Sequence, residues 1–386
     1  MGGLLEGTGV RHLIVPSLKR SLSLWADLRA WWSIFQIIRR ERPDIVHTYM
    51  AKAGALGRTA AMVHNGFVRF GARLAGRPPS ICRIIHTFHG HVLEGYFSPR
   101  LSRVFVMIEC YLARGTDRLI AVSRTVRDEL LQRGIGAPVQ WTAIPLGLDL
   151  SSLEALPPPD GSSKIRVGIV GRLVPIKNPA LFLSALGQVA RQPLAIPISG
   201  VIVGDGPLRQ TLEREAKRLG LEALVQFIGW QRDLREVYGG LEATCLTSWN
   251  EGTPVALIEA MAASRAVVAT DVGGVRDLLL DEGEDTLQAI PSGGFRMTTR
   301  GMLVRPGDVE GLAAALHTVV TDEKLRRRLG QAARTFVGQR FSTERLCRDV
   351  EGLYADLLTD RNMRRGEWEC SLPEGRALSG RICLKC

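Results

Sequence analysis

Short apolar runs alternate along this chain with segments whose apolar positions recur every three to four residues. Runs at residues 11–15, 44–49, 83–88, 118–122 and 141–145 read as strands, and the segments at 23–40, 54–65 and 99–114 read as amphipathic helices. Ser123 is placed to cap a further helix carrying Val126, Leu130 and Leu131. This alternation is the rhythm of a parallel sheet covered by helices.

The stretch Pro157-Pro158-Pro159-Asp160-Gly161-Ser162-Ser163 holds neither a helix nor an inner strand, so 157–163 reads as a linker after a first lobe spanning 1–156. The pattern then starts again. Strands are expected at 165–170, 200–203, 225–228, 243–246 and 266–270, with helices at 178–190, 208–219, 254–263 and 309–321, giving a second lobe over 164–341. A helix at 342–358 presents Leu346, Val350, Leu353, Leu357 and Leu358 along one face and is expected to cross back over the junction of the lobes. Residues 359–386 carry no period and read as a mobile tail. The fold class is therefore α/β, two doubly wound Rossmann-like lobes facing a cleft.

Composition adds limits. A chain of 386 residues, 45% hydrophobic and 23% charged, suits two soluble lobes of ordinary size. No apolar run reaches the length of a membrane-spanning helix and the first residues lack a leader pattern, so a cytosolic protein is expected. Seven cysteines, four of them single in apolar or helical stretches, suggest no disulfide framework. Cys383-Leu384-Lys385-Cys386 with Cys370 offers too few ligands for zinc. The net charge of +11 is concentrated in the first lobe, where 20 Lys and Arg face 11 Asp and Glu up to Glu154. Such a field attracts an anionic surface such as phospholipid or a lipid diphosphate. Nucleic acid is not expected, because no reader motif accompanies the charge. The helix at 23–40 interleaves Trp25, Leu28, Trp31, Trp32, Phe35 and Ile38 with Arg29, Arg39 and Arg40; core packing is its first reading and an anionic membrane its second.

The chemistry concentrates in Glu251-Gly252-Thr253-Pro254-Val255-Ala256-Leu257-Ile258-Glu259. Thr253 reads as a helix cap and Pro254 as the first helical residue, so the free N–H groups there, Val255 onward, would favour a diphosphate. Gly252 permits close approach of the chain. Glu251 in the loop would face the group beyond the phosphates, and Glu259, two turns on, would accept hydrogen bonds from ribose hydroxyls. Arg172 and Lys177 follow the glycine-ended strand at 165–170, two cations suited to a departing diphosphate, with no metal required. Gly204-Asp205-Gly206 makes a tight turn at the end of the next strand, the edge where open α/β sheets bind ligands.

These segments, in this order, resemble the GT-B glycosyltransferases of family 4, with matching phrases at residues 44–47, 121–123, 266–274 and 303–308. The resemblance implies a retaining, metal-independent and cofactor-free transfer of a sugar from a nucleotide-diphosphate sugar, commonly a UDP-sugar. It puts Arg172 and Lys177 on the diphosphate, Glu259 on ribose and Glu251 on the donor sugar. It also implies a cleft histidine against that sugar, for which His89 fits best within His86-Thr87-Phe88-His89-Gly90-His91 and His91 second. The family usually opens with a strand and a double-glycine loop, whereas Met1-Gly2-Gly3-Leu4-Leu5 runs almost directly into what reads as the second strand, so the first strand is expected to be missing. Residues 67–77 and 283–301 read as insertions, and Leu146 precedes Gly147 where the family commonly has Asn. The expected acceptor is a saccharide, foremost a lipid-linked one of surface polysaccharide synthesis, with the enzyme peripheral at the inner membrane face. The competing readings are a nucleotide-sugar epimerase or phosphorylase on the same scaffold, a truncated paralogue that only binds nucleotide, and a nicotinamide-dependent oxidoreductase; Gly204-Asp205-Gly206 lacks the third glycine the last would need.

Overall fold

The computed structural model describes residues 10–19, 21, 23–90, 99–159, 164–281, 283–284 and 289–363. His91, the stretch preceding residue 10, and the tail beyond 363 with its cysteines lie outside the described residues.

The first lobe runs α1 (Leu24–Glu41), β1 (Ile45–Tyr49), α2 (Ala51–Leu74), β2 (Arg83–Phe88), α3 (Pro99–Ala113), β3 (Arg118–Ala121), α4 (Arg124–Gln132) and β4 (Trp141–Ala143). Its four strands pair in parallel in the order β1-β2-β3-β4. Side-chain alternation divides its core: Ile84 packs toward α1 and α2 with Ile34, Phe35, Ile38 and Ala61, while Ile85, the next residue, packs on the opposite face with Ile120 and Ile144. Residues 11–15, expected as a strand, pair with no strand; their side chains are exposed or half-buried, and only Val15 reaches the core. The run has the apolar content of a strand but makes no ladder with β1. Residues 67–74 of the expected insertion simply lengthen α2, whose helix continues through an interruption that sequence suggested.

After the short α5 (Ser151–Glu154), the second lobe comprises β5 (Ile165–Val170), α6 (Pro179–Ala190), β6 (Ile198–Val203), α7 (Arg209–Arg218), β7 (Val225–Gly229), α8 (Leu234–Gly239), β8 (Ala243–Leu246), α9 (Val255–Ala262), β9 (Ala266–Thr270), α10 (Val275–Leu279), β10 (Phe295–Met297), β11 (Met302–Val304), α11 (Val309–Thr321) and α12 (Glu323–Arg340). The strand order β10-β11-β9-β8-β5-β6-β7 reverses direction between β8 and β5. All pairs are parallel except β10–β11, whose outer strand β10 is supplied by the inserted residues. Helices cover both faces, with separate cores around Phe182 and Leu316 on one side and Ile258 and Leu279 on the other.

The last helix, α13 (Thr343–Met363), lies on the first lobe's sheet, where Leu346, Val350, Leu353, Tyr354 and Leu357 cover Ile85, Ile120 and Ile144. Its start is tied to the strand-end loop: Arg345 Nη2 donates to the carbonyls of Pro145 and Leu146 at 2.8 and 2.6 Å. Gly147 permits that approach, since a Cβ there would lie 2.6 Å from Leu346 Cβ. Among the described residues no helix is long and apolar enough to cross a membrane, and Cys82, Cys110, Cys245 and Cys347 are free thiols.

Candidate active site

The order of the parallel strands switches sides between β5 and β8, which leaves a crevice at their carboxyl ends, where open α/β sheets take ligands. Gly171, Arg172, Lys177, Thr247 and Ser248 are among the residues lining it. The loop after β8 is fastened to the turn after β5: Thr247 Oγ1 donates to the Lys177 carbonyl at 2.9 Å and the Trp249 N–H to the Ile176 carbonyl at 2.8 Å. This brings two distant segments together. Glu251 Oε1 accepts from Lys177 Nζ at 2.5 Å and from Ser248 Oγ at 2.6 Å, with the Glu251 side chain only 9% exposed. Arg172 stands beside this cluster with an exposed side chain that makes no hydrogen bond or ion pair among the described residues.

Three layers of backbone stack at the mouth of the cleft. A Cβ on Gly252 would lie 2.5 Å from the His89 carbonyl oxygen; one on Gly273 would lie 2.0 Å from the Glu251 carbonyl oxygen, and one on Gly274 1.8 Å from that of Gly252. Only glycine fits at these places. Gly273, at φ 42°, also adopts the left-handed conformation. The turn at Gly204 is of the same kind: it has φ 122°, and a Cβ would fall 2.0 Å from the Gly171 carbonyl oxygen. It therefore shapes the loop that carries Arg172. The Asp205 carboxylate is exposed and is engaged by the Gly206 N–H at 2.7 Å and by Arg209 at 3.6 Å, so the structure does not bring it to Lys177 or Glu251.

Helix α9 differs from the expectation at its start. Pro254, not Thr253, is the N-cap, and its carbonyl accepts from the Leu257 N–H at 3.1 Å. Thr253 instead sends Oγ1 across the cleft to the Val122 carbonyl at 3.3 Å, because the facing lobe offers an acceptor that sequence spacing could not reveal. The N–H groups of Val255 and Ala256 have no intrahelical partner, as in any first turn. Glu259, half-buried on α9, accepts from the Tyr238 hydroxyl at 2.9 Å. Burial raises its pKa and the Tyr238 hydrogen bond partly offsets that.

From the first lobe, His89 leaves the end of β2 with an exposed side chain whose ring stacks on Tyr49, centroids 5.7 Å apart. Though solvent reaches it, the surrounding protein lowers its pKa by desolvation. Tyr49 stacks in turn on His47 at 4.4 Å, and His47 is held by Tyr354 Oη and Thr87 Oγ1, each at 2.7 Å. Burial, then the nearby His89, pushes His47 down to about 4. His86 faces the sheet interior, 2.8 Å from Thr48 Oγ1. The lobes touch once more where Asp277 accepts the Thr125 N–H at 3.1 Å at the start of α4.

Two family models cover this architecture: one described as Glycosyl transferase 4-like domain matches residues 4–147, and one described as Glycosyl transferases group 1 matches residues 159–336. The chain belongs to the GT-B glycosyltransferases of family 4. It is 28% identical to the UDP-Gal:alpha-D-GlcNAc-diphosphoundecaprenol alpha-1,3-galactosyltransferase of Escherichia coli, over 91% of this chain and 85% of that one. It is 21% identical to the capsular polysaccharide biosynthesis glycosyltransferase CapM of Staphylococcus aureus, over 90% of this chain and 85% of that one. The fold is also that of HepE from Anabaena, crystallised with UDP, at a TM-score of 0.65 and 21% identity over 85% of this chain and 82% of that one. This glycosyltransferase therefore transfers sugar, and the epimerase and nucleotide-binding-paralogue readings are not favoured. Sequence reasoning missed Ser248, Tyr238, Tyr49 and Asp277 as parts of the site; their partners are 3, 21, 40 and 152 positions away, and only the Ser248 spacing to Glu251 offered a local signal.

Proposed function

We propose that this glycosyltransferase is a retaining, metal-independent enzyme that uses a UDP-sugar and glycosylates a lipid-linked saccharide at the cytoplasmic face of a membrane. The observation that carries the reading is the Lys177–Glu251–Ser248 cluster next to the exposed Arg172 at the β5/β8 crevice. In this reading Arg172, Lys177 and the first N–H groups of α9 take the diphosphate. Negative charge grows there as the sugar bond breaks, and fixed donors that meet developing charge contribute about 3–4 kcal/mol each. Glu259 accepts from the ribose hydroxyls, its orientation held by Tyr238. Glu251, already oriented by Ser248 and Lys177, accepts from hydroxyls of the donor sugar, and His89 meets that sugar from the facing lobe. Gly252 lets the loop lie close against the first lobe at His89 and Gly90.

The choice of uracil nucleotide and of a lipid diphosphate acceptor is supported by the relatives: the Escherichia coli enzyme acts with UDP-Gal on a diphosphoundecaprenol-linked sugar, and HepE was crystallised with UDP. The excess of positive charge in the first lobe suits such an acceptor and an anionic membrane.

The test is a melting-shift screen of nucleotide sugars on the wild type, Lys177→Ala and Glu259→Ala. UDP-sugars are expected to raise the melting temperature of the wild type, and both variants to lose most of that shift. A shift that survives both substitutions would remove the proposed donor site.

A further inference from the structure

Helix α1, read from sequence first as core packing and second as a membrane-facing helix, buries only one face. Ala30, Ile34, Phe35 and Ile38 are buried, whereas Trp25, Leu28 and Trp32 are 81%, 58% and 54% exposed. Their spacing of three and four residues puts them on one outward stripe. Helix α2 carries a second such stripe: Val63, Phe67, Phe70 and Leu74 are 39%, 65%, 65% and 75% exposed. The stripes adjoin, because Phe35 lies 5.6 Å from Trp32 and 6.2 Å from Phe67, ring centroid to centroid. Seven large apolar side chains on two packed helices form a continuous patch that the fold leaves uncovered, the mark of an interaction site.

The charge around the patch has one sign. Arg29, Arg39 and Arg40 on α1 and Arg69, Arg73 and Arg77 on and after α2 are exposed. α2 contains no acidic residue, and the two acids of α1 are neutralised, Asp27 by Lys52 and Glu41 by Arg11 and Arg40. A second copy of the chain placed symmetrically on this face would set arginine against arginine. A surface of lipid phosphates satisfies the arginines while its interfacial zone takes up the Trp, Phe and Leu side chains.

We propose that the outer face of α1 and α2 docks this enzyme on an anionic bilayer, with residues 67–77 as the inserted element that completes it. The placement deepens the reading of a lipid-linked acceptor and rests on it for its purpose. β1 ends at Tyr49 and α2 begins at Ala51, so the start of α2 lies at the sheet edge that also carries His89. α1 runs alongside in the same direction, Asp27 meeting Lys52 and Trp31 meeting Thr59. The patch thus extends from the cleft rim along a helix of about 35 Å, and the donor cleft opens at the lipid surface, where a membrane-anchored diphosphate enters without leaving the bilayer.

The experiment is sedimentation of the full-length protein with vesicles of phosphatidylglycerol and phosphatidylcholine, against phosphatidylcholine alone, at low salt. The wild type is expected to sediment with the anionic vesicles, and Phe67→Ser/Phe70→Ser and Arg69→Glu/Arg73→Glu to bind about tenfold more weakly. Unchanged melting temperatures would show that these surface substitutions leave the fold intact. Wild-type protein that stays in solution, or double variants that sediment like wild type, would overturn the proposal. So would size exclusion in which Phe67→Ser/Phe70→Ser converts a dimer to a monomer without affecting vesicle binding. Sedimentation needs neither donor nor acceptor, so it is independent of the transferase reading; transfer to a water-soluble acceptor is expected to be the same in both double variants and the wild type.

Discussion

Gly90 and Gly252 lie against one another across the cleft, so closely that a methyl group on Gly252 would sit 2.7 Å from Gly90 Cα. One glycine comes from each lobe, and their contact sets how nearly the acceptor side approaches the donor loop. The same loop is backed by Gly273 and Gly274, so it has no room to retreat.

Gly252→Ala should therefore wedge the cleft open while leaving the second lobe folded. UDP is expected to raise the melting temperature of the variant as it does for the wild type, because the proposed diphosphate and ribose contacts lie within that lobe. Transfer is expected to fall by about tenfold or more through misplacement of His89 and acceptor. Wild-type turnover in Gly252→Ala would mean that the glycine contact does not control the reaction.

Tyr238→Phe addresses Glu259. Burial raises the Glu259 pKa and Tyr238 lowers it, so losing the hydroxyl moves the carboxyl further upward. Ribose hydroxyls need the ionised acceptor, so donor affinity declines as pH falls through this raised pKa, and the decline should begin at higher pH in the variant. Melting shifts with UDP across pH 5 to 8 would reveal it. Superimposable pH profiles for variant and wild type would exclude Glu259 as an ionised ribose acceptor tuned by Tyr238.

His47 makes acid stability measurable. Its pKa falls from 6.5 to about 4 in the folded chain, so below 6.5 the unfolded state binds a proton that the fold refuses. Stability is then lost as pH drops from 6.5 toward 4, by about 3 kcal/mol when complete. His47→Gln disturbs the contacts to Tyr354 and Thr87 at every pH and, having no ring to titrate, removes this proton linkage. Urea denaturation at about pH 7 and about pH 4.5 should show the variant losing about 2–3 kcal/mol less than wild type between the two. Equal losses would place the linkage elsewhere, for instance at buried His86.

Much of the molecule was legible along the chain. The apolar rhythm marked nearly every strand of both sheets, since a strand buried on two faces must be apolar wherever it sits. Residues 11–15 show the limit: the same apolar content yields no strand unless a neighbour's free edge aligns with it. The antiparallel β10–β11 edge and helix α12 escaped notice, the first because its strands are three residues each and the second because nine charged residues or glutamines dilute its periodicity. At the site, the donor motif announced its residue types, yet Thr253 was assigned to a cap because spacing sees only the local backbone. The carbonyl of Val122 that it contacts lies 131 positions earlier.

The order of residues settled the two α/β units, the glycine-rich turns and the chemical character of the donor loop, because each of these follows from periodicity and from conformations available within a few residues. Pairing across distance was decided in three dimensions. Lys177 meets Glu251 only because β5 and β8 became neighbours, α13 closes the first sheet only because it returns from the second lobe, and Trp25 and Trp32 face solvent only because Ile34 and Ile38 won the inner side. Burial and ion pairing are properties of surfaces that meet, and those surfaces exist only once the chain has folded.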